Sequence, residues 1–184
     1  MCGIAGVAGD VNQHHRDSVR TMCAALRHRG PDDEGFFNAS GISMGMRRLA
    51  IIDVAHGQQP TTSESGEVVA VFNGEIYNYR SLQKQLRSVG HQLASDSDSE
   101  CLPHLYEDHG SDMLAHLRGM FGLAIWDGRS GELMLARDRV GKKPLFYWID
   151  GRSIWFASEL KAILAVPGSP RDIDPTAVDL YLRY

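Results

Sequence analysis

The spacing of apolar residues divides the chain into amphipathic helices and short strands. Val19, Met22, Cys23 and Leu26 recur at the interval of one helical face. Spacing and end signals predict helices over residues 17–27, 79–89 (capped by Asn78), 100–109 and 159–165 (capped by Ser158). Short apolar runs between turn residues predict strands over residues 3–7, 35–37, 42–46, 49–52, 68–72, 121–127, 132–137, 145–149 and 154–157.

The order of these elements indicates that most strands have antiparallel neighbours. The strands occur in clusters that helices interrupt, and residues 127–131 (Asp-Gly-Arg-Ser-Gly) are typical of a hairpin connection. A parallel sheet would instead require a helix after nearly every strand. The pattern therefore predicts an α+β domain, and 184 residues are enough for one domain with a sizeable core.

The last residues of the chain carry a separate signal. Asp174 before Pro175 is a typical helix start, with aspartate as the cap and proline in the first turn. Val178, Tyr181 and Leu182 then form an apolar stripe, which normally packs against a partner surface. We therefore expect a domain over residues 1–170, and in residues 171–184 the start of a connection to a further domain.

Composition narrows the function classes. The net charge of −4 disfavours a nucleic-acid partner, which would need clustered cations. Three scattered cysteines are too few for a disulfide framework, and no apolar run is long enough to span a membrane. Eight histidines form no recognised metal-ligand motif, and His104 and His109 do not share a helical face. We expect a cytoplasmic protein without a metal or membrane partner.

Cys2 is the residue with the most chemical potential. Removal of Met1 is expected because the second side chain is small, and it would leave a thiol and a free α-amine on one residue. The thiol titrates near pKa ~8.5 and the amine near ~7.7–8.0. The amine can therefore accept the thiol proton close to neutral pH, which is the basis of N-terminal-nucleophile catalysis. A buried cysteine in a first strand is the alternative.

Five further motifs accompany Cys2-Gly3-Ile4. They are Arg-His-Arg-Gly-Pro-Asp (27–32), Arg-Leu-Ala-Ile-Ile-Asp (48–53), Phe-Asn-Gly-Glu-Ile-Tyr-Asn (72–78), Arg-Gly-Met-Phe-Gly-Leu-Ala (118–124) and Arg-Asp-Arg-Val-Gly-Lys-Lys-Pro-Leu (137–145). In this order they resemble the class II glutamine amidotransferases, the N-terminal-nucleophile glutaminases. Within that class they are most similar to the N-terminal domain of glutamine-hydrolysing asparagine synthetases. The resemblance implies a four-layer αββα sandwich of two mainly antiparallel sheets.

The resemblance also implies a catalytic set. Cys2 would attack the glutamine amide, and the Asn73 side chain and the Gly74 backbone N–H would stabilise the oxyanion that forms. Taken alone, Asn73-Gly74 is more typical of a type I′ hairpin turn, and the accompanying motifs favour the site.

The amino-acid head of glutamine would be held by charge. Arg48 would clamp the α-carboxylate and Asp98 would pair with the α-ammonium. A surface arginine and a helix cap are the alternatives, and Asp96 competes with Asp98. The remaining substrate contacts implied by the resemblance are Leu49, Ala50, Ile51, Ile52, Asn73, Gly74 and Glu75.

Partners follow from the same resemblance. L-glutamine would be the substrate, and its ammonia would pass to a C-terminal synthetase domain of the same chain, where ATP and Mg²⁺ would act on aspartate. No ATP-binding loop occurs in these residues, so no cofactor is expected in this domain. A homodimer is left open. The rival hypotheses are a synthetase with another acceptor, a non-catalytic glutamine-binding regulatory domain and a free-standing amide hydrolase.

Overall fold

The computed structural model describes residues 1–183. The helices are α1 (Gln13–Ala25), α2 (Tyr79–Val89), α3 (Cys101–His109), α4 (Leu160–Ile163) and α5 (Pro175–Arg183), with a 3₁₀ helix over Gly110–Ala115. The strands are β1 (Gly3–Ala8), β2 (Asp33–Ala39), β3 (Ile42–Arg48), β4 (Thr61–Thr62), β5 (Val68–Ile76), β6 (Gly119–Asp127), β7 (Glu132–Arg137), β8 (Phe146–Asp150) and β9 (Ser153–Ala157).

The strands form two antiparallel sheets. One has five strands in the order β2-β3-β1-β9-β8, and the other has four in the order β4-β5-β6-β7. Every neighbouring pair is antiparallel. In the long pair of β5 with β6, Asn73 lies opposite Gly122 and Gly74 opposite Phe121.

Three apolar clusters define the layers. Helices α1 and α4 pack against the outer face of the five-stranded sheet, where Val19 and Met22 meet Trp155. Helices α2 and α3 pack against the outer face of the four-stranded sheet. The inner faces of the two sheets meet in a third cluster, which includes Ile4 and Val71. The predicted αββα sandwich and the α+β class are confirmed.

The strand predicted over residues 49–52 is wrong. Strand β3 ends at Arg48, and the chain then leaves the sheet in turns. The buried Arg48 guanidinium donates to the carbonyl oxygens of Ile52, Asp53 and Val54 at 3.3, 2.7 and 3.1 Å. These bonds wrap the segment around one side chain, so its backbone carbonyls are directed at Arg48 and not at a neighbouring strand.

Several helix ends also differ from prediction. Helix α1 begins four residues early because Asn12 accepts from the N–H of His15, and His15 Nδ1 is paired with the N–H of Asn12. Ser158 does not cap α4, since its hydroxyl accepts from the N–H of Ile4 at 3.0 Å. Asn78 stands at the start of α2 but its side chain bonds to His116 O and the N–H of Arg118. The start of α1 is thus set by a local capping pair, whereas the partners of Ser158 and Asn78 are distant in sequence.

Helix α5 begins as predicted. Asp174 Oδ1 accepts from the N–H of Thr176 at 2.8 Å, and the helix starts at Pro175. None of the residues described for α5 is buried, and Tyr181 and Leu182 are among its most exposed. Tyr184, which belongs to the predicted segment 171–184, lies outside the described residues. Among the residues that the structure describes, no helix combines the length and apolar character needed to cross a bilayer.

Candidate active site

One cleft brings together the ends of strands from both sheets. It encloses about 630 Å³, including the part open to solvent. Its walls come from the residues before β1, the segment after β3, the second half of β5 and the loop before α3. The lining residues are Met1, Cys2, Arg48, Leu49, Ile51, Ile52, Gly57, Gln59, Phe72, Asn73, Gly74, Glu75, Ser97, Asp98, Ser99, Met120 and Lys143.

Cys2 directly precedes β1, and its thiol is half-buried. Its Sγ is 3.4 Å from the donating N–H of Leu49 and 3.8 Å from Leu49 O. Its carbonyl accepts from Arg29 Nε at 2.9 Å, and Arg29 Nη1 is in turn paired with Glu159 at 2.7 Å. The thiol is thus positioned by the segment after β3, and its backbone by the Arg29–Glu159 pair.

The other two cysteines are chemically different. Cys23 and Cys101 are buried in the cores outside the cleft, and burial raises the pKa of each thiol to about 12. Such thiols stay protonated near neutral pH and are poor nucleophiles. Cys2 is the cysteine of this chain that can meet a ligand in the cleft.

The presence of Met1 determines whether the Cys2 nitrogen is a peptide amide or a free α-amine. With Met1 present, the free α-amine belongs to Met1, and burial lowers its pKa. Met1 also lines the cleft, and its sulfur contacts the ammonium of Lys143. An N-terminal-nucleophile mechanism therefore requires removal of Met1, which would give the α-amine to Cys2 and open that end of the cleft.

Asn73 is the most unusual polar residue of the cleft. Its side chain is completely buried, and neither Oδ1 nor Nδ2 has a hydrogen-bond partner among the described residues. A buried polar group without a partner costs about 1–3 kcal/mol. An amide kept at that cost in the wall of a cleft is suited to bond a ligand, either as a donor to a developing oxyanion or as an acceptor.

Gly74 is required by close packing. A Cβ at this position would lie 2.2 Å from Met120 O and 2.8 Å from Phe121 Cα on the neighbouring strand. The alternative of a hairpin turn at Asn73-Gly74 is wrong, because both residues lie inside β5 and pair with β6. The predicted strand end at residue 72 is wrong for the same reason.

Asp98 and Arg48 both line the cleft. Asp98 is buried, its Oδ2 accepts from the N–H of Ile76 at 2.9 Å, and burial raises the pKa of its carboxyl. A cation beside it would restore the charged form. Arg48 is buried as well, but three carbonyl oxygens already accept from its Nη1 and Nη2 atoms. Arg48 therefore offers a ligand positive charge but few unused N–H donors.

The other predicted substrate contacts divide into two groups. Leu49, Ile51, Ile52 and Glu75 line the cleft. Ala50 does not, and its N–H instead donates to Asp32 Oδ2 at 2.9 Å. Asp96, the alternative to Asp98, is exposed and paired with Arg87 at 3.0 Å.

Sequence reasoning missed several lining residues. Gly57 lies against Arg48, where a Cβ would approach Nη2 to 2.8 Å. Gln59 accepts from the N–H of Phe72 at 2.8 Å, which ties the loop to β5. Lys143 is buried and lines the cleft, and its motif alone assigns it no contact with a substrate. The basic motif over residues 137–145 was the one available signal for it.

Comparison with known proteins agrees with this geometry. Residues 1–184 match the sequence family described as "Glutamine amidotransferase domain". The chain is 39% identical over 178 residues to "Asparagine synthetase [glutamine-hydrolyzing] 2" of Bacillus subtilis, covering 95% of this chain and 24% of that protein. It is 42% identical over 167 residues to "Asparagine synthetase [glutamine-hydrolyzing] 2" of Arabidopsis thaliana, covering 89% of this chain and 28% of that protein.

Solved structures show the same fold. The glutamine phosphoribosylpyrophosphate amidotransferase of B. subtilis, complexed with ADP and GMP, superposes with a TM-score of 0.76 at 22% identity. The match covers 95% of this chain and 46% of that one. The chain thus spans about a quarter of the B. subtilis synthetase and under half of this solved chain. The match over the whole sequence confirms the resemblance, and the chain belongs to the glutamine amidotransferase domain family.

Proposed function

We propose that this domain hydrolyses glutamine to glutamate and ammonia through a thioester on Cys2. The Cys2 sulfur attacks the side-chain amide carbon, and the C–S bond forms as the carbonyl oxygen becomes an oxyanion. Collapse breaks the C–N bond, and the α-amine of Cys2 passes the thiol proton to the leaving ammonia. Water then cleaves the thioester, which releases glutamate and restores the thiol.

The observation that carries this proposal is the buried Asn73 amide, which has no hydrogen-bond partner among the described residues and lines the same cleft as Cys2. A donor already aimed and desolvated strengthens a bond to an oxyanion more than a solvated donor would. The Gly74 N–H is the proposed second donor. Asp98 and Arg48 are proposed to hold the ammonium and carboxylate of the substrate.

The fate of the ammonia is the second part of the proposal. The curated relatives extend well beyond the matched region and are named as glutamine-hydrolysing asparagine synthetases. We propose that residues 1–170 form the glutaminase and that residues 171–184 lead towards a synthetase domain that uses ATP, Mg²⁺ and aspartate. The exposed apolar residues of α5 are consistent with a surface that such a domain covers.

Replacing the nucleophile tests the proposal. Cys2→Ala should abolish glutamate release while the protein keeps its circular dichroism and melting temperature, because methyl for thiol is a small change. In the wild type, quenched samples should show a glutamyl adduct by intact mass that Cys2→Ala lacks. Steady turnover by Cys2→Ala would contradict the proposal. Absence of turnover in the processed wild type, with glutamine still bound, would favour a regulatory domain.

A further inference from the structure

A cluster of histidine and carboxylate side chains lies outside the active cleft. Glu64 belongs to the turn between β4 and β5, His91 follows α2, and His104 and Glu107 lie one turn apart on α3. One ligand atom from each lies within 4.8 Å of every other. Three elements that are distant in sequence thus bring four metal-ligand side chains to one point.

The central contacts already have the spacing of a coordination shell. The two oxygens of Glu64 lie 3.1 Å from His91 Nδ1 and 3.0 Å from His104 Nδ1. Ligand atoms around a tetrahedral zinc ion with bonds of ~2.0–2.1 Å are roughly 3.3 Å apart. Both imidazoles therefore direct the same ring nitrogen towards one carboxylate at nearly the separation that a shared ion requires.

The outer ring nitrogens also face carboxylates. His91 Nε2 is hydrogen-bonded to Asp108 at 3.2 Å, whereas His104 Nε2 lies 3.6 Å from Glu100, beyond hydrogen-bond distance. Metal-bound histidines usually donate their second N–H to a carboxylate, which fixes the tautomer and orients the ring. His104 is fully buried, so its orientation is imposed by packing as well.

Charge balance favours a cation in the cluster. Four carboxylates surround two imidazoles, and neutral imidazoles would leave these negative charges close together. A divalent cation offsets two of the charges and leaves each imidazole in the neutral form that binds metal. We propose that Glu64, His91, His104 and Glu107 bind one Zn²⁺ ion.

The ion would connect segments that support the glutamine cleft. His91 is held at the end of α2, because its N–H donates to Leu86 O at 3.1 Å. From there the chain runs to the loop that carries Asp98, and Glu100 accepts from the N–H of Ala94 and from Ser95 in that loop. Zinc would thus restrain this loop through α3, and none of its four proposed ligands lines the cleft.

Zinc binding by metal-stripped protein tests the proposal. The titration is made in the Cys2→Ala background, because the thiol and amine of an N-terminal cysteine can chelate zinc independently. We expect one Zn²⁺ per chain by calorimetry, and an X-ray absorption spectrum with only nitrogen and oxygen in the first shell. The metal-free protein should melt at a lower temperature than the zinc-bound protein.

Matched variants localise the ion. His91→Ala and Glu64→Gln should each weaken zinc affinity at least tenfold, with unchanged circular dichroism. His109→Ala is the control, because His109 ends α3, stacks on His116 with the ring centroids 4.4 Å apart, and is not one of the four cluster residues. Equal zinc affinity in the control and the cluster variants would overturn the proposal, as would failure of the wild type to bind zinc. His91 and His104 would then be held by hydrogen bonds and ion pairs with the carboxylates, without a metal ion.

Discussion

The cleft beside Cys2 and the cluster around Glu64 treat polar groups in opposite ways. In the cleft, the Asn73 amide is fully buried and has no partner among the described residues. In the cluster, Glu64 contacts two imidazoles and also accepts from the N–H of Gln92 at 2.7 Å. In the cleft, the polar atoms of Asn73 remain available for a ligand. In the cluster, the polar atoms of Glu64 already bond to other residues of the domain.

This difference separates a site for a transient ligand from a site that stabilises structure. Open donors cost folding free energy until a substrate or transition state uses them. Groups that pair with one another stabilise the fold and gain little from a passing substrate. Variants of the cleft should therefore change turnover more than stability, and variants of the cluster should do the reverse.

The largest effect is expected from the state of the N-terminus. If Met1 is retained, glutaminase activity should be abolished, because the nitrogen of Cys2 is then an amide that cannot accept a proton. Met1 also lines the cleft. Intact mass and activity should be measured on the same processed and unprocessed samples. Full activity in a homogeneous sample that retains Met1 would show that another group acts as the base.

Asn73→Ala should give the next largest loss, about 10²–10³ in kcat, as for removal of one oxyanion donor. The melting temperature should not fall, because the amide makes no hydrogen bond within the described residues that folding could lose. Steady-state kinetics tests the loss of kcat, and calorimetry on the same preparation tests the melting temperature. A rise in KM with kcat unchanged would assign Asn73 to substrate binding and not to the oxyanion.

Asp98→Asn should raise KM for glutamine about tenfold to a hundredfold, as expected for loss of a bond worth ~1.5–3 kcal/mol. The wild-type KM should also depend on pH. Burial raises the pKa of Asp98, so the carboxylate is lost earlier as the pH falls, and its attraction for the ammonium disappears with it. The KM of the wild type should rise towards acid pH, whereas that of Asp98→Asn should stay high and nearly flat. Parallel profiles would contradict the assignment.

The smallest effect is expected from Glu64→Gln in metal-free protein. Loss of the charge-assisted contacts to His91 and His104 should lower the free energy of unfolding by on the order of 1 kcal/mol. The kcat for glutamine should not change, because Glu64 does not line the cleft. Urea unfolding and kinetics test this, with His109→Ala as the neutral control. A loss of kcat as large as that of Asn73→Ala would remove the distinction between the two regions.

The elements that were predicted well depend on local sequence. Helix α2 follows from the spacing of its apolar face and from Gly90, which adopts a left-handed conformation at its end. The hairpin between β6 and β7 follows from the turn residues between them. The error at Ser158 arises because a distant group intervenes, since the Ser158 hydroxyl accepts from the N–H of Ile4 in β1. The strand predicted over residues 49–52 fails for a local reason, because the carbonyls of Ile52, Asp53 and Val54 accept from the neighbouring Arg48 side chain.

The sequence by itself determined the family, the α+β class and the motifs that supply the cleft, because these depend on residue order and periodicity. Tertiary structure decided that Asn73 lies inside a strand with its side-chain amide unpaired by any residue within 1–183, that Ala50 does not line the cleft, and that Lys143 does. It also decided that Glu64 meets His91 and His104. These outcomes depend on which segments the two sheets bring together, and sequence spacing carries no information on such distances.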